Sequence, residues 1–256
     1  MSPVLFTYLL WVMSVLAIVV FICLYFITAG YGQFRTKRWG YSIDNRVAWF
    51  LMEAPVFFVM LIIWCRAGFP FHLPELILLG LFLVHYFQRS FVFPSLMKGH
   101  SRMPLSIMMM GILFNVINGI MQGGGLFWFP IPAYTQGASY LLRWNAIVGI
   151  IVFLFGMIVN WHSDYVIRHL RQPGDTRHYL PQAGFYRYVT SANYFGEITE
   201  WLGFAILTWS LAGLLFFWFS CCNLVPRSNA IYKKYEEEFP DEFDRKKLKR
   251  IIPFIY

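Results

Sequence analysis

Charge is what this sequence has least of. Asp, Glu, Lys and Arg make up 13% of its 256 residues, against 58% hydrophobic residues. A soluble domain is about a quarter charged, so an ordinary soluble enzyme and a disordered chain are both excluded. Cysteine is scarce too. Cys23, Cys65, Cys221 and Cys222 lie in or beside apolar segments and form no CxxC or Cys/His pattern. No structural zinc site and no disulfide framework is implied, and no metal set is expected. There is no P-loop, and Gly123-Gly124-Gly125 is not a dinucleotide fingerprint because no strand precedes it. His162-Ser163-Asp164 is not a triad, since neighbouring helical positions point different ways. No basic n-region precedes the first apolar run, so residues 1–28 read as a retained span rather than a cleaved signal. Repeats, low-complexity stretches and interdomain linkers are missing, which leaves one compact bundle as a single membrane domain. The net charge of +8 is no nucleic-acid signature, because the basic residues sit in short loops and the tail. There they read as topology signals and as contacts to anionic lipid or phosphate.

What the chain does have is apolar length. Runs able to span a bilayer cover roughly 4–28, 47–65, 75–96, 104–121 and 144–167, and a longer one covers about 195–225. Basic residues alternate between the loops. Arg35, Lys37, Arg38 and Arg46 follow the first run; the next loop has only Arg66; then come Arg89, Lys98 and Arg102; then Arg143 alone; then Arg168, Arg171, Arg177 and Arg187. The positive-inside rule puts the rich loops in the cytosol and the N-terminus outside. The tail from Arg227 onward is basic as well, so the last long run should cross twice, with a turn near Ser210–Gly213; six spans with the tail outside is the alternative. The expected fold is therefore all-α: an integral membrane bundle of seven transmembrane helices with a cytosolic C-terminus.

The polar residues inside these runs are few and patterned. Asn160, Asp164, Arg168 and Arg171 share one helical face, and so do Asn193, Glu197 and Glu200. Such groups are expensive in lipid and should face a bundle interior or a wet cavity. Glu53 lies midway along the second run, where an acidic residue costs about 2.5 to 3.5 kcal/mol. A carboxyl group there favours its neutral, hydrogen-bond-donating form. Trp49 stands one turn earlier on the same face as an apolar wall. The third run ends VHYFQRSFVFP, which sets Tyr86 three residues before Arg89 and His85 four before it. A phenol near a carboxylic acid is a good polariser of a ligand carbonyl, although a membrane Tyr also serves as an interface anchor. Asn115, Asn118 and Gln122 form a stripe on the fourth run that suits interhelical hydrogen bonding and ligand contact equally. The outcome is a lipophilic pocket with a cytosolic mouth. Arg89, Arg102, Arg168, Arg171, Arg227 and Tyr235 rim that mouth, a setting for an anionic, phosphate-bearing cofactor.

Several stretches carry a resemblance: HYFQRSFVFP at 85–94, GMIVNWHSDYVIRHLRQPGD at 156–175, LPQAGFYRYVTSANYFGEITEWLGFAILTWS at 180–210 and KRIIPFIY at 249–256. In these the chain resembles the steroid 5α-reductase (3-oxo-5α-steroid 4-dehydrogenase) family, from about residue 40 onward. The resemblance implies a seven-helix fold with a cytosolic NADPH site, and reduction of the C4–C5 double bond of 3-oxo-Δ4 steroids. It implies Glu53 and Tyr86 at the 3-keto oxygen. For NADPH it implies Arg89, Arg102, Asn160, Asp164, Arg171, Tyr179, Asn193, Glu197, Glu200, Arg227 and Tyr235. Trp49, Phe114, Asn118 and Trp201 are expected to line the steroid site. Residues 1–121 would then form mainly the substrate pocket and residues 144–256 mainly the cofactor site. The membrane would be the endoplasmic reticulum in a eukaryote and the inner membrane in a bacterium. No protein partner is evident.

The sequence departs from the mammalian pattern at Met52, Met110, His178 and Ile231, where Gln, Arg, Tyr and His are usual. Other readings are a reductase of another lipid enone, of an enoyl thioester or of a polyprenol, and an isoprenylcysteine-type methyltransferase. A polyprenol has no carbonyl to polarise, and the methyltransferase chemistry needs no acid–phenol pair. A transporter would show an inverted repeat or broken helices, and the sequence has neither.

Overall fold

The computed structural model describes residues 1–28, 30, 34, 36, 39–98, 101–170 and 177–256. Arg171, Arg35, Lys37 and Arg38 lie outside the described residues. Among the described residues, seven long helices follow one another: α1 (Pro3–Phe26), α2 (Asn45–Arg66), α3 (Leu73–Leu96), α4 (Leu105–Trp128), α5 (Trp144–His169), α6 (Ala192–Thr208) and α7 (Leu211–Glu238). Every helix but α6 is long and apolar enough to cross a membrane. α6 has 17 residues, the lower limit for a crossing. The chain is thus a helical, multi-pass membrane protein. A short antiparallel pair, β1 (Ser42–Asp44) and β2 (Arg102–Pro104), ties the start of α2 to the start of α4.

Helix starts follow local chemistry. The Ser2 hydroxyl accepts from the Leu5 amide and Pro3 opens α1; Asp44 accepts from the Arg46 and Val47 amides to open α2. These caps satisfy amides that have no partner within the helix. The long apolar run at 195–225 is cut in two at Trp209, which takes a left-handed conformation (φ 48°). Ser210 then caps α7 by accepting from the Gly213 amide at 3.1 Å. The expected turn is therefore present, one residue early. α4 runs past the expected end at 121 and finishes in a π turn over Gly124–Trp128, with Gly123, Gly124 and Gly125 packed closely on Ile63, Phe6 and Ala212.

α5 and α6 form the tightest pair. Gly149 and Gly156 on α5 face Leu207 and Glu200 on α6, while Gly196 and Gly203 face Asn160 and Phe153 in return. A Cβ at any of the four would enter the opposing backbone. Small residues at such seams let helices approach closely, which is how helices associate without a hydrophobic drive between them. The antiparallel register brings the Asn160 face against the Asn193 face.

The last carbonyls of α6 would otherwise be orphaned. Three side chains from the 132–145 region meet them. Tyr134 donates to Thr208 O at 2.6 Å, Tyr140 donates to Leu207 O, and Asn145 donates to Ile206 O at 3.3 Å. Burial pushes both phenols above their ordinary range, so they stay neutral donors. This plug closes one end of the bundle. The polar faces of α5 and α6 occupy the other.

Candidate active site

Glu53 on α2 and Tyr86 on α3 are each held by an asparagine of α4. Pro55 cannot donate to the Leu51 carbonyl, and Asn115 reaches the adjacent peptide: its Nδ2 donates to Met52 O at 2.8 Å and to Glu53 Oε2 at 3.3 Å. One turn on, Asn118 Nδ2 donates to the Tyr86 hydroxyl at 3.0 Å. Gln122 fixes that amide, because its Nε2 donates to Asn118 Oδ1 at 3.4 Å and to Ala212 O at 2.9 Å. An amide nitrogen only donates. The Tyr86 oxygen is therefore the acceptor and its own O–H remains to donate elsewhere. Glu53 likewise receives a bond on one oxygen and keeps the other. The Asn115–Asn118–Gln122 stripe thus makes interhelical bonds that orient Glu53 and Tyr86.

Tyr86 stands in a cage of rings. Phe82 lies 4.7 Å away, His85 5.0 Å and Trp201 5.8 Å. Trp201 is buried behind Tyr86 and packs on Phe216 at 4.3 Å. His85 Nδ1 meets Glu200 Oε1 at 2.8 Å, with both side chains out of solvent. Glu200 thus ties α6 to α3. Phe114 is half-buried and stacks on Phe219 at 4.3 Å.

Arg89 marks the polar end. It lies in a widened π turn, Gln88–Val92, just before Pro94; such turns recur at functional sites. Its Nη1 donates to Asp164 Oδ2 at 3.2 Å, and its guanidinium lies 5.0 Å from the Trp49 ring and 4.6 Å from Phe93. Glu197, Glu53 and Glu200 act on the same cation electrostatically. Arg89 thus ties α3 to the carboxylate of α5.

Beyond it, Asn160 Nδ2 donates to Asn193 O at 2.9 Å, and the Tyr186 hydroxyl donates to Asn193 Oδ1 at 3.4 Å. Tyr186, in a short 3-10 turn outside the membrane-spanning helices, is pushed well above its ordinary range by burial and then by the Tyr235 and Asp164 charges. Arg227 Nη2 donates to the Tyr194 hydroxyl at 2.8 Å with its guanidinium 5.1 Å from that ring. Tyr235 follows on the same helix, its ring 6.0 Å from Phe239. Tyr179 lies under the Arg177 guanidinium at 5.4 Å. Arg102 is exposed and donates to Ser42 O. Arg171 lies outside the described residues.

Two residues of this region, Ser163 and Ser191, were not singled out in the sequence, whereas Asn160 and Arg168 were. Asn160 Oδ1, Ser163 Oγ, Ser191 Oγ and Arg168 Nη1 are buried and have no hydrogen-bond partner among the described residues. Ser163 and Ser191 gave no periodic signal, because each is a lone small polar residue beside a more conspicuous one. The departures from the mammalian pattern fall in distinct places. Met52 packs at Gly111, Met110 is exposed, Ile231 is half-buried, and His178 meets Glu238 Oε1 at 2.6 Å.

A multi-pass helical membrane protein with an inward-facing acid, phenol and arginine is the class that fold and site define. Residues 101–256 match the family model for 3-oxo-5-alpha-steroid 4-dehydrogenase. The chain is 35% identical to steroid 5-alpha-reductase DET2 of Gossypium hirsutum, over 98% of each chain. It is 37% identical to 3-oxo-5-alpha-steroid 4-dehydrogenase 1 of Mus musculus, over 94% of this chain and 92% of that one. To 3-oxo-5-alpha-steroid 4-dehydrogenase 2 of Homo sapiens it is 38% identical, over 89% and 88%. The chain belongs to the 3-oxo-5-alpha-steroid 4-dehydrogenase family of oxidoreductases.

Proposed function

We propose that this protein reduces the C4–C5 double bond of a 3-oxo-Δ4 steroid to the 5α-3-oxosteroid, with NADPH as reductant. The observation that carries the reading is the pair of asparagine-braced donors, Glu53 and Tyr86, in an aromatic interior. Both would donate to the 3-keto oxygen. Polarising that carbonyl draws electron density from C5 through the conjugated alkene. As C5 gains a hydride, negative charge collects on the oxygen as an enolate, and donors already in place stabilise it without reorganising. The carbonyl then reforms as C4 takes a proton. Trp49, Phe114, Asn118 and Trp201 would shape or brace the steroid site.

The polar end fits a dinucleotide phosphate. The unpartnered Asn160 Oδ1, Ser163 Oγ and Ser191 Oγ supply acceptors and donors for an amide and ribose hydroxyls, and Arg168 Nη1 supplies a phosphate donor. Arg89, Arg102, Asp164, Arg171, Tyr179, Asn193, Glu197, Arg227 and Tyr235 would complete that site, with Glu200 bracing it through His85. When bound, NADPH supplies the hydride. Residues 1–121 then contribute mainly to the steroid pocket and 144–256 mainly to the cofactor site. Seven crossings, with the N-terminus outside and the polar end in the cytosol, follow from the loop charges. The membrane would be the endoplasmic reticulum or a bacterial inner membrane.

The test is purified protein in detergent with testosterone or progesterone and NADPH, and NADH in parallel. A steroid two hydrogens heavier, formed with NADPH and co-eluting with the 5α standard, is the expected product. NADPH binding without product would move the substrate to another lipid enone.

A further inference from the structure

The C-terminal octapeptide, Lys249–Tyr256, is not a loose tail. Lys249 pairs with Val189 across a parallel bridge. The Thr190 amide donates to Lys249 O at 2.9 Å, the Ser191 amide to Arg250 O at 3.2 Å and the Lys249 amide to Tyr188 O at 2.8 Å. Arg250 Nε donates to Asn229 Oδ1 on α7 at 2.7 Å, and its guanidinium lies between the Tyr232 and Tyr256 rings at 4.5 and 5.0 Å. Ile251 is buried. The last residues close on themselves, with the Ile251 and Ile252 amides both donating to Tyr256 O at 2.7 Å.

This anchored turn presents three apolar side chains outward. Phe254 is 75% exposed and Ile255 78%, with Ile252 beside them. Phe254 holds a positive φ of 67°, a conformation that costs energy for a bulky residue and persists where the surroundings impose it. The place of the turn identifies what covers it. The Tyr256 hydroxyl lies 3.4 Å from that of Tyr25, in the last turn of α1. The α1 helix is a span of membrane length whose flank is exposed and apolar, so its end marks the bilayer surface. Burial and the Tyr25 hydroxyl push the Tyr256 phenol up to about 12, so it stays a neutral, interfacial tyrosine. Lys246 and Lys247 precede the turn and Lys249 opens it, which places cations where headgroup phosphates lie; Arg245 is paired with Glu236.

We propose that the C-terminal turn docks in the membrane interface, with Ile252, Phe254 and Ile255 among the acyl chains and the preceding lysines on anionic headgroups. Because the same octapeptide holds Tyr188, Thr190 and Ser191 by their backbones, docking also fixes the loop that leads to Asn193. The inference stands on the geometry of the tail and does not depend on which lipid the enzyme reduces.

The experiment is photocrosslinking of the full-length protein in vesicles of phosphatidylcholine with phosphatidylserine. Benzoyl-phenylalanine replaces Phe254 in one variant and Ile255 in a second. Phe155, exposed on the flank of α5, serves as the lipid-facing control, and Glu237, exposed on α7, as the aqueous one. Lipid adducts at 254 and 255 with yields like that at 155, and none at 237, are expected. Adduct at 155 but at neither tail position would overturn the proposal. With Lys246→Gln, Lys247→Gln and Lys249→Gln combined, the tail adduct to phosphatidylserine should fall about fivefold or more at low salt. An unchanged phosphatidylserine yield would overturn the headgroup assignment.

Discussion

Asn118 donates to the Tyr86 hydroxyl at 3.0 Å and is itself held by Gln122. The direction of that bond turns an ordinary buried phenol into a donor aimed away from α4. Tyr86→Phe removes the donor and should lower kcat by about a hundredfold or more, with NADPH affinity unchanged. Asn118→Leu leaves the phenol present but unoriented, so a smaller loss of about tenfold is expected. Steady-state turnover beside cofactor titration checks both; equal losses in the two variants would remove orientation as the role of Asn118.

Glu53→Gln retains size and one donor, and Asn115 can still meet its carbonyl oxygen. Turnover should drop by about tenfold to a hundredfold while the protein remains folded and binds NADPH. Unchanged single-turnover rates would take Glu53 out of the mechanism.

Arg168 has a buried Nη1 without a hydrogen-bond partner among the described residues. Arg168→Ala should weaken NADPH by about tenfold, with a smaller effect on NADH, and Arg171→Ala should act in the same direction. Fluorescence titration of the two nucleotides distinguishes this from a loss of folding, which would weaken both alike.

Gly156 faces the Glu200 backbone with no space for a Cβ. Gly156→Ala must spread α5 from α6, and destabilisation of about 1 to 3 kcal/mol is expected. Thermal unfolding in detergent reads it. A neutral result would mean that the seam can slide.

Tyr140 and Tyr134 are kept protonated by burial. Above pH 10 the unfolded chain releases these protons while the folded one retains them, so stability should be flat below pH 10 and fall above it. Tyr140→Phe should flatten that alkaline fall. It should also lower stability by about 1 to 3 kcal/mol at neutral pH, because Leu207 O loses its donor. A melting series from pH 7 to 11, with both proteins, separates the two effects.

Composition and periodicity alone determined that this chain is a membrane bundle, because a bilayer accepts only long apolar helices and makes every interior charge conspicuous. For the same reason Glu53, Arg89, Asp164 and the Asn193–Glu200 face stood out in one dimension. The turn at Trp209–Ser210 was legible from loop charge. What one dimension could not decide was pairing. Nothing in the spacing of Asn115 and Asn118 says that one braces a carboxyl and the other a phenol, since those partners come from helices about thirty to sixty residues away. Glu200 shared a face with Glu197, yet only the approach of α3 to α6 joined it to His85. Ser163 and Ser191 became notable only once folding buried them. In sequence the closing octapeptide belongs to a charged tail, and only the pairing of its backbone beside Val189 makes it an anchored turn. Periodicity reports which side of a helix is polar; which helix stands opposite is set by glycine seams and side-chain volumes, and those act only in three dimensions.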